Sequence, residues 1–170
     1  MPYDRDRHHR RSVRLKHYDY STAGVYFITI CTHQRATCFD DPVVRNIAIS
    51  AWQAIPEHNA GVTLDEWVVM PNHLHGLLEL RGTSAPSLRP ADNISISPRS
   101  ASLAVILRTY KAVVTVACRK SGYEQFAWQT GFYDRVIRDH SELERVRLYI
   151  RNNPAQWALD HENPDYKPLA

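Results

Sequence analysis

No apolar run in the chain approaches the roughly 20 residues that a membrane-spanning helix needs, so no transmembrane segment is expected. Cysteine is scarce. Cys31, Cys38 and Cys118 show neither zinc-type nor redox-pair spacing, and their odd number predicts free thiols. Cys31 and Cys118 sit among apolar neighbours and read as small core residues. The first residues are rich in Arg and His but lead into no apolar segment, which argues against a secretory signal and for a cytoplasmic location. Internal repeats are missing, and so is the glycine-rich loop of a nucleotide triphosphate site. Acidic residues are absent from Arg99 to Tyr123.

What is present fits one globular domain. The chain has 170 residues, 44% hydrophobic and 23% charged, enough for a sizeable core. The net charge of +3 is mild, but its placement is uneven. Arg5, Arg7, Arg10, Arg11, Arg14 and Lys16 crowd the start, and Arg108, Lys111, Arg119 and Lys120 fall in the stretch without acids. Clustered basic charge suits a phosphate-backbone partner, although a solvated face reads the same way. The expected organisation is a flexible basic arm over 1–17, a single domain over 18–160 and a tail over 161–170. A Ser-, Pro- and Gly-rich stretch over 82–100 reads as a loop.

Val25 to Cys31 is rich in β-branched and aromatic residues and predicts a first strand. Asp41-Pro42 is a favourable helix start, with the helix passing Ile47, Ala51, Trp52 and Ile55 and stopping near Pro56. Strands are expected from Val62 to Met70, from His73 to Leu80 and around Tyr133 to Ile137. Leu103, Ile106, Leu107, Tyr110, Val113, Val114 and Ala117 keep helical spacing over about 101–120, with Arg108, Lys111, Thr115 and Arg119 in a stripe on the other face. Ser141-Glu142-Leu143-Glu144 reads as a capping box for a last helix with a buried stripe of Leu143, Val146 and Ile150; Pro154 should end or bend it. The order strand, helix, strand, strand, helix, strand is that of the ferredoxin-like (split βαβ) α+β fold, an antiparallel sheet with helices on one face.

His73 and His75 flank Leu74 in one predicted strand, so both rings leave the same face. That pair is either half of a metal site or two polar residues on a wet face. Tyr149 and Asn153 lie one turn apart on the last helix and share a face. Each alone reads as an ordinary helix residue, but together a phenol and an amide oxygen could face one ion. Two imidazoles and an amide are uncharged, so a divalent cation among them would keep its full charge and polarise a phosphodiester oxygen strongly. Only roughly 0.1% of a tyrosine with a pKa near 10 is phenolate at pH 7. A nearby positive charge, from the ion or from Arg145 one turn earlier, would raise that fraction.

Met70-Pro71-Asn72-His73-Leu74-His75 resembles the His-hydrophobic-His (HUH) signature of single-tyrosine transposases, and Tyr149-Ile150-Arg151-Asn152-Asn153-Pro154 resembles their nucleophile helix. More narrowly, the chain is similar to the REP-associated tyrosine transposases. Arg14 to Tyr20, Tyr26 to Thr32, and Trp128-Gln129 with Phe132-Tyr133-Asp134 also fit that group, so the likeness runs from Arg11 to about Pro164. The resemblance implies a metal-dependent endonuclease and strand transferase acting on hairpin single-stranded DNA. Tyr149 would become joined to a 5′ phosphate, and His73, His75 and Asn153 would bind magnesium or manganese. It implies a monomer or a homodimer, associated with the nucleoid when bound to DNA. Arg11, Arg14, Lys16, Arg108, Lys111, Arg119 and Arg145 would contact DNA, and Tyr18, Tyr20 and Tyr133 could stack on unpaired bases. Two other readings stand beside this one: a non-catalytic single-strand-binding module of the same fold, and a metal-dependent nuclease that uses water.

Overall fold

The computed structural model describes residues 23–81, 102–159 and 163. The expected arm with Arg11, Arg14 and Lys16, the aromatic Tyr18 and Tyr20, the 82–100 loop and the tail apart from Asn163 lie outside the described residues.

Four antiparallel strands form one sheet in the order β2-β3-β1-β4. They are β1 (Gly24–Cys31), β2 (Val62–Val69), β3 (His73–Leu80) and β4 (Tyr133–Ile137). With helices α1 (Pro42–Gln53), α2 (Ile55–His58), α3 (Leu103–Lys120) and α4 (His140–Gln156), this is the ferredoxin-like α+β architecture. β1 occupies the middle because its alternation serves two faces. Tyr26, Ile28 and Ile30 are fully buried on one of them and join the core with Trp52 and Ala48 of α1 and Ile106, Leu107, Tyr110 and Val114 of α3. Phe27, Thr29 and Cys31 point to the other face.

β3 follows the same rule. Leu74, Leu78 and Leu80 belong to the core, which leaves His73, His75 and Leu77 on the opposite face. Gly76 sits on the core side against α1, where an added Cβ would stand 2.4 Å from the Trp52 ring. The Gly76→Ala variant should therefore lose about 1–3 kcal/mol of stability through overpacking, measured by urea unfolding. The strained carbon would sit one residue from His75.

Several local expectations change: α1 ends at Gln53 and Ile55 starts α2, Cys31 is only half-buried, and of Leu143, Val146 and Ile150 only Ile150 is buried. Val113 is 51% exposed, because the buried line of α3 runs through Leu103, Leu107, Tyr110, Val114 and Cys118 and leaves Val113 on its flank. The cap of α4 is Asp139 and not Ser141. The Asp139 carboxylate accepts from Glu142 N–H at 2.8 Å and from Ser141 Oγ at 2.7 Å, while the Glu142 carboxylate reaches back to Arg138 N–H at 2.9 Å. A carboxylate accepts both bonds at a helix N-terminus, where its charge also suits the helix dipole. Pro154 lies inside α4. It removes one backbone donor close to the helix end, and the chain continues through a 3-10 turn at Trp157–Leu159.

Candidate active site

The two histidines come from consecutive outward positions of β3 and their rings lie 4.5 Å apart between centroids. Both are buried, His73 to 1% and His75 to 6% exposure, so they do not form a wet strand face. Each ring is fixed through Nδ1. His73 Nδ1 lies 2.7 Å from Asn72 Oδ1, and His75 Nδ1 lies 2.8 Å from Thr29 Oγ1. Asn72 is an acceptor at Oδ1, so His73 carries its proton on Nδ1 and presents a lone pair at Nε2. Phe27 stacks on His75 at 5.4 Å and covers its other side.

The turn that starts β3 is held as firmly. Thr32 Oγ1 donates to Asn72 O at 2.9 Å, and Asn72 Nδ2 donates to Arg35 O at 3.2 Å. Gln34 and Arg35 both take positive φ angles of 53° and 57°, a conformation side-chain-bearing residues seldom adopt in succession. This strained loop places the Arg35 charge close enough to act on His73.

α4 supplies the other half. The Tyr149 hydroxyl lies 3.2 Å from His75 Nε2, and its ring meets both His75 and Phe27 edge-on. Two turns later Trp157 approaches His73 at 6.0 Å. Asn153, one turn from each, is on the same face by helical spacing and is 3% exposed. Tyr149 itself is 44% exposed, so a phenol open to solvent stands over two buried imidazoles.

Among the buried side-chain atoms of the described residues that lack a hydrogen-bond partner are His73 Nε2 and Asn153 Oδ1. Orphans of this kind cost roughly 1–3 kcal/mol each and point to a missing binding partner. No group of three or more His, Cys, Asp or Glu among the described residues could hold a metal ion. Among the described residues, the side chains left to stand as a third ligand beside the histidines are an amide or a phenol. Two imidazole nitrogens and an amide oxygen are a donor set that a divalent cation accepts, so the residues present fit one.

Burial, with the Arg35 charge as a smaller cause, pulls the His73 pKa from 6.5 down to about 4. The ring is neutral at physiological pH and free to ligate. Because the folded pKa lies below the unfolded one, only the unfolded chain holds this proton between those values. In EDTA, stability should be complete above pH 6.5, fall as pH drops, and level off below about 4, a loss of up to about 3 kcal/mol. Urea unfolding across that window should show the slope in the wild type and a flatter profile in His73→Gln.

The other expected site residues do not join this group. α3 lies on the opposite side of the sheet, so Arg108 and Arg119, both exposed, face away from the histidines. Lys111 donates to Gln129 O at 2.6 Å and Gly131 O at 2.8 Å; it braces the loop before β4, and its partial burial lowers its pKa. Arg145 donates to Ser141 Oγ at 3.2 Å, toward the start of α4. Tyr133 is 42% exposed on the edge strand β4. Sequence reasoning missed Thr29, Asn72, Phe27 and Arg35. Only Asn72, beside a candidate ligand, carried a local signal.

Comparison with known proteins bears on the family and the fold. The model of the IS200-like transposase family matches residues 21–153. An uncharacterized protein of Haemophilus influenzae is 36% identical over 166 residues, spanning 90% of this chain and 92% of its own. The solved structure of a REP-associated tyrosine transposase bound to a REP hairpin is 20% identical, with a TM-score of 0.58 over 84% of this chain and 73% of that one. At that identity the likeness speaks for the fold.

Proposed function

Since the chain belongs to the IS200-like transposase family, we propose that it cleaves and rejoins hairpin single-stranded DNA through a covalent bond between Tyr149 and a 5′ phosphate. The observation that carries this reading is the Tyr149 hydroxyl at 3.2 Å from His75 Nε2, beside the orphaned His73 Nε2 and Asn153 Oδ1. The similarity to a REP-associated transposase with its hairpin favours a REP-like hairpin as the substrate.

The phenol oxygen attacks the phosphorus and the bond to the 3′ oxygen breaks. The phenol proton goes to solvent, and the departing 3′ oxygen takes one up. Bond energy is conserved in the phosphotyrosine, so a free 3′ hydroxyl can reverse the step without a nucleotide triphosphate. His73, His75 and Asn153 would hold magnesium or manganese, which would supply polarisation of a phosphate oxygen with its charge undiminished by carboxylates. Asn72 holds His73 in the tautomer that ligation requires, and Thr29 holds the orientation of the His75 ring. Tyr149 and His75 of one chain lie within hydrogen-bond distance, which favours a site completed within one subunit. Among the described residues no helix is long and apolar enough to cross a membrane, and the proposed setting is cytoplasmic, on DNA.

The test is incubation with labelled REP-type hairpins and manganese, followed by denaturing electrophoresis. A protein–DNA adduct carrying the strand downstream of the cut is expected, and none in EDTA. Tight hairpin binding without any metal-dependent product would overturn the proposal in favour of a binding module.

A further inference from the structure

We propose that Asp65 and Glu66 of β2 grip α4 through Arg147 and Arg151 as a two-point electrostatic latch that sets where Tyr149 stands. This inference rests on the reading of Tyr149 as nucleophile and makes the four charged residues positioning residues.

The latch begins with a defect in the sheet. β2 pairs regularly with β3 from Val62↔Leu80 to Leu64↔Leu78, and pairing resumes at Trp67↔Gly76. β2 therefore carries one extra residue between Leu64 and Trp67. In a regular strand, Asp65 and Glu66 would point to opposite faces. The bulge breaks that alternation, and both carboxylates reach α4. Arg147 donates to both oxygens of Asp65, from Nε at 3.0 and 3.2 Å and from Nη2 at 2.7 Å. Arg151 Nε donates to Glu66 Oε1 at 2.9 Å. The first is a fork-to-fork pair, which fixes orientation as well as distance.

The helix draws on these contacts because its buried face is short and mostly polar, although an Arg135–Glu142 ion pair also ties its first turn to β4. α3 buries Leu103, Ile106, Leu107, Tyr110, Val114 and Cys118. α4 buries only Glu142, Ile150 and Asn153, and two of those are polar. At 100° per residue, Arg147 and Arg151 fall on one flank of the Ile150–Asn153 stripe and Tyr149 on the other. Rotation of the helix about its axis would lift the phenol from His75, and the arginines on the far flank resist it.

The test compares wild type with the double variant Asp65→Asn, Glu66→Gln, which keeps shape and removes charge. Single-turnover adduct formation is measured at saturating hairpin and manganese, alongside hairpin affinity and amide hydrogen exchange. Loss of the latch should slow the saturated rate by about 10- to 100-fold, the scale of a small misplacement of a reacting group. Hairpin affinity should shift less than about threefold, since the catalytic step is what depends on the phenol's position. Exchange should speed up in α4 and stay unchanged in α3. The charge-swapped pair Asp65→Arg with Arg147→Asp should recover most of the rate lost by Asp65→Arg alone.

An unchanged rate with unchanged exchange in α4 overturns the latch. Faster exchange in α3 as well would mean general destabilisation and overturns it too, and so would a swapped pair that fails to recover. If the wild type forms no adduct, the nucleophile reading fails by itself, and the exchange comparison still decides whether the carboxylates hold α4.

Discussion

Tyr149→Phe should abolish the covalent protein–DNA adduct, with cleavage falling by roughly 10⁴-fold or more, the scale seen when an enzyme's nucleophile is removed. The substitution deletes one oxygen. The ring contacts with His75 and Phe27 do not need the hydroxyl, and Tyr149 is 44% exposed, so folding should be unaffected. The variant should still bind hairpin DNA and manganese, because the imidazoles and Asn153 remain. Quantifying adduct and free cleaved strand separately on the same denaturing gel makes the result decisive. Cleavage that persists without an adduct would identify water as the nucleophile and leave Tyr149 a positioning role.

Asn153→Leu should separate stability from function. Asn153 Oδ1 is buried and lacks a hydrogen bond, so replacing the amide with an apolar group of similar size should, in EDTA, leave stability unchanged or raise it by about 1 kcal/mol. Metal binding should move the other way. Loss of groups that merely orient a ligand costs 10- to 100-fold in metal affinity, so loss of a ligand itself should cost about 100-fold or more. Urea unfolding in EDTA gives the first quantity and manganese titration calorimetry the second. A variant that binds manganese as tightly as wild type would remove Asn153 from the ligand set and leave its burial without a functional reason. Destabilisation in EDTA instead would mean that the amide already has a structural partner.

The elements of the fold were legible because their signals are local. β3 and β4 were expected at His73 to Leu80 and Tyr133 to Ile137, where they are found, since alternating and β-branched runs between turn residues leave few other conformations. The start of α1 followed from Asp41-Pro42, and the Asp41 carboxylate does accept from Val43 and Val44 N–H. Errors came where neighbouring signals compete. Asp139 and Ser141 are both good caps, and only the Glu142 carboxylate returning to Arg138 N–H shows which one the helix uses. For α3, periodicity gave the buried side but not its width, so Val113 was placed inside although it is 51% exposed.

The sequence by itself determined that His73 and His75 share a face, that Tyr149 and Asn153 share another, and that the topology is ferredoxin-like, because side-chain direction within a strand or helix depends only on spacing. It could not decide whether those two faces meet, which of the basic residues stand near them, or what holds the last helix down. Those depend on contacts between residues far apart in the chain: Thr29 on His75, Tyr149 over His75, and Asp65 and Glu66 on Arg147 and Arg151. A one-residue bulge in β2 and the side of the sheet on which each helix packs set these contacts. By the same packing, the basic stripe of α3 ends up facing away from the histidines, and its charge pattern alone did not say on which side of the sheet it would lie.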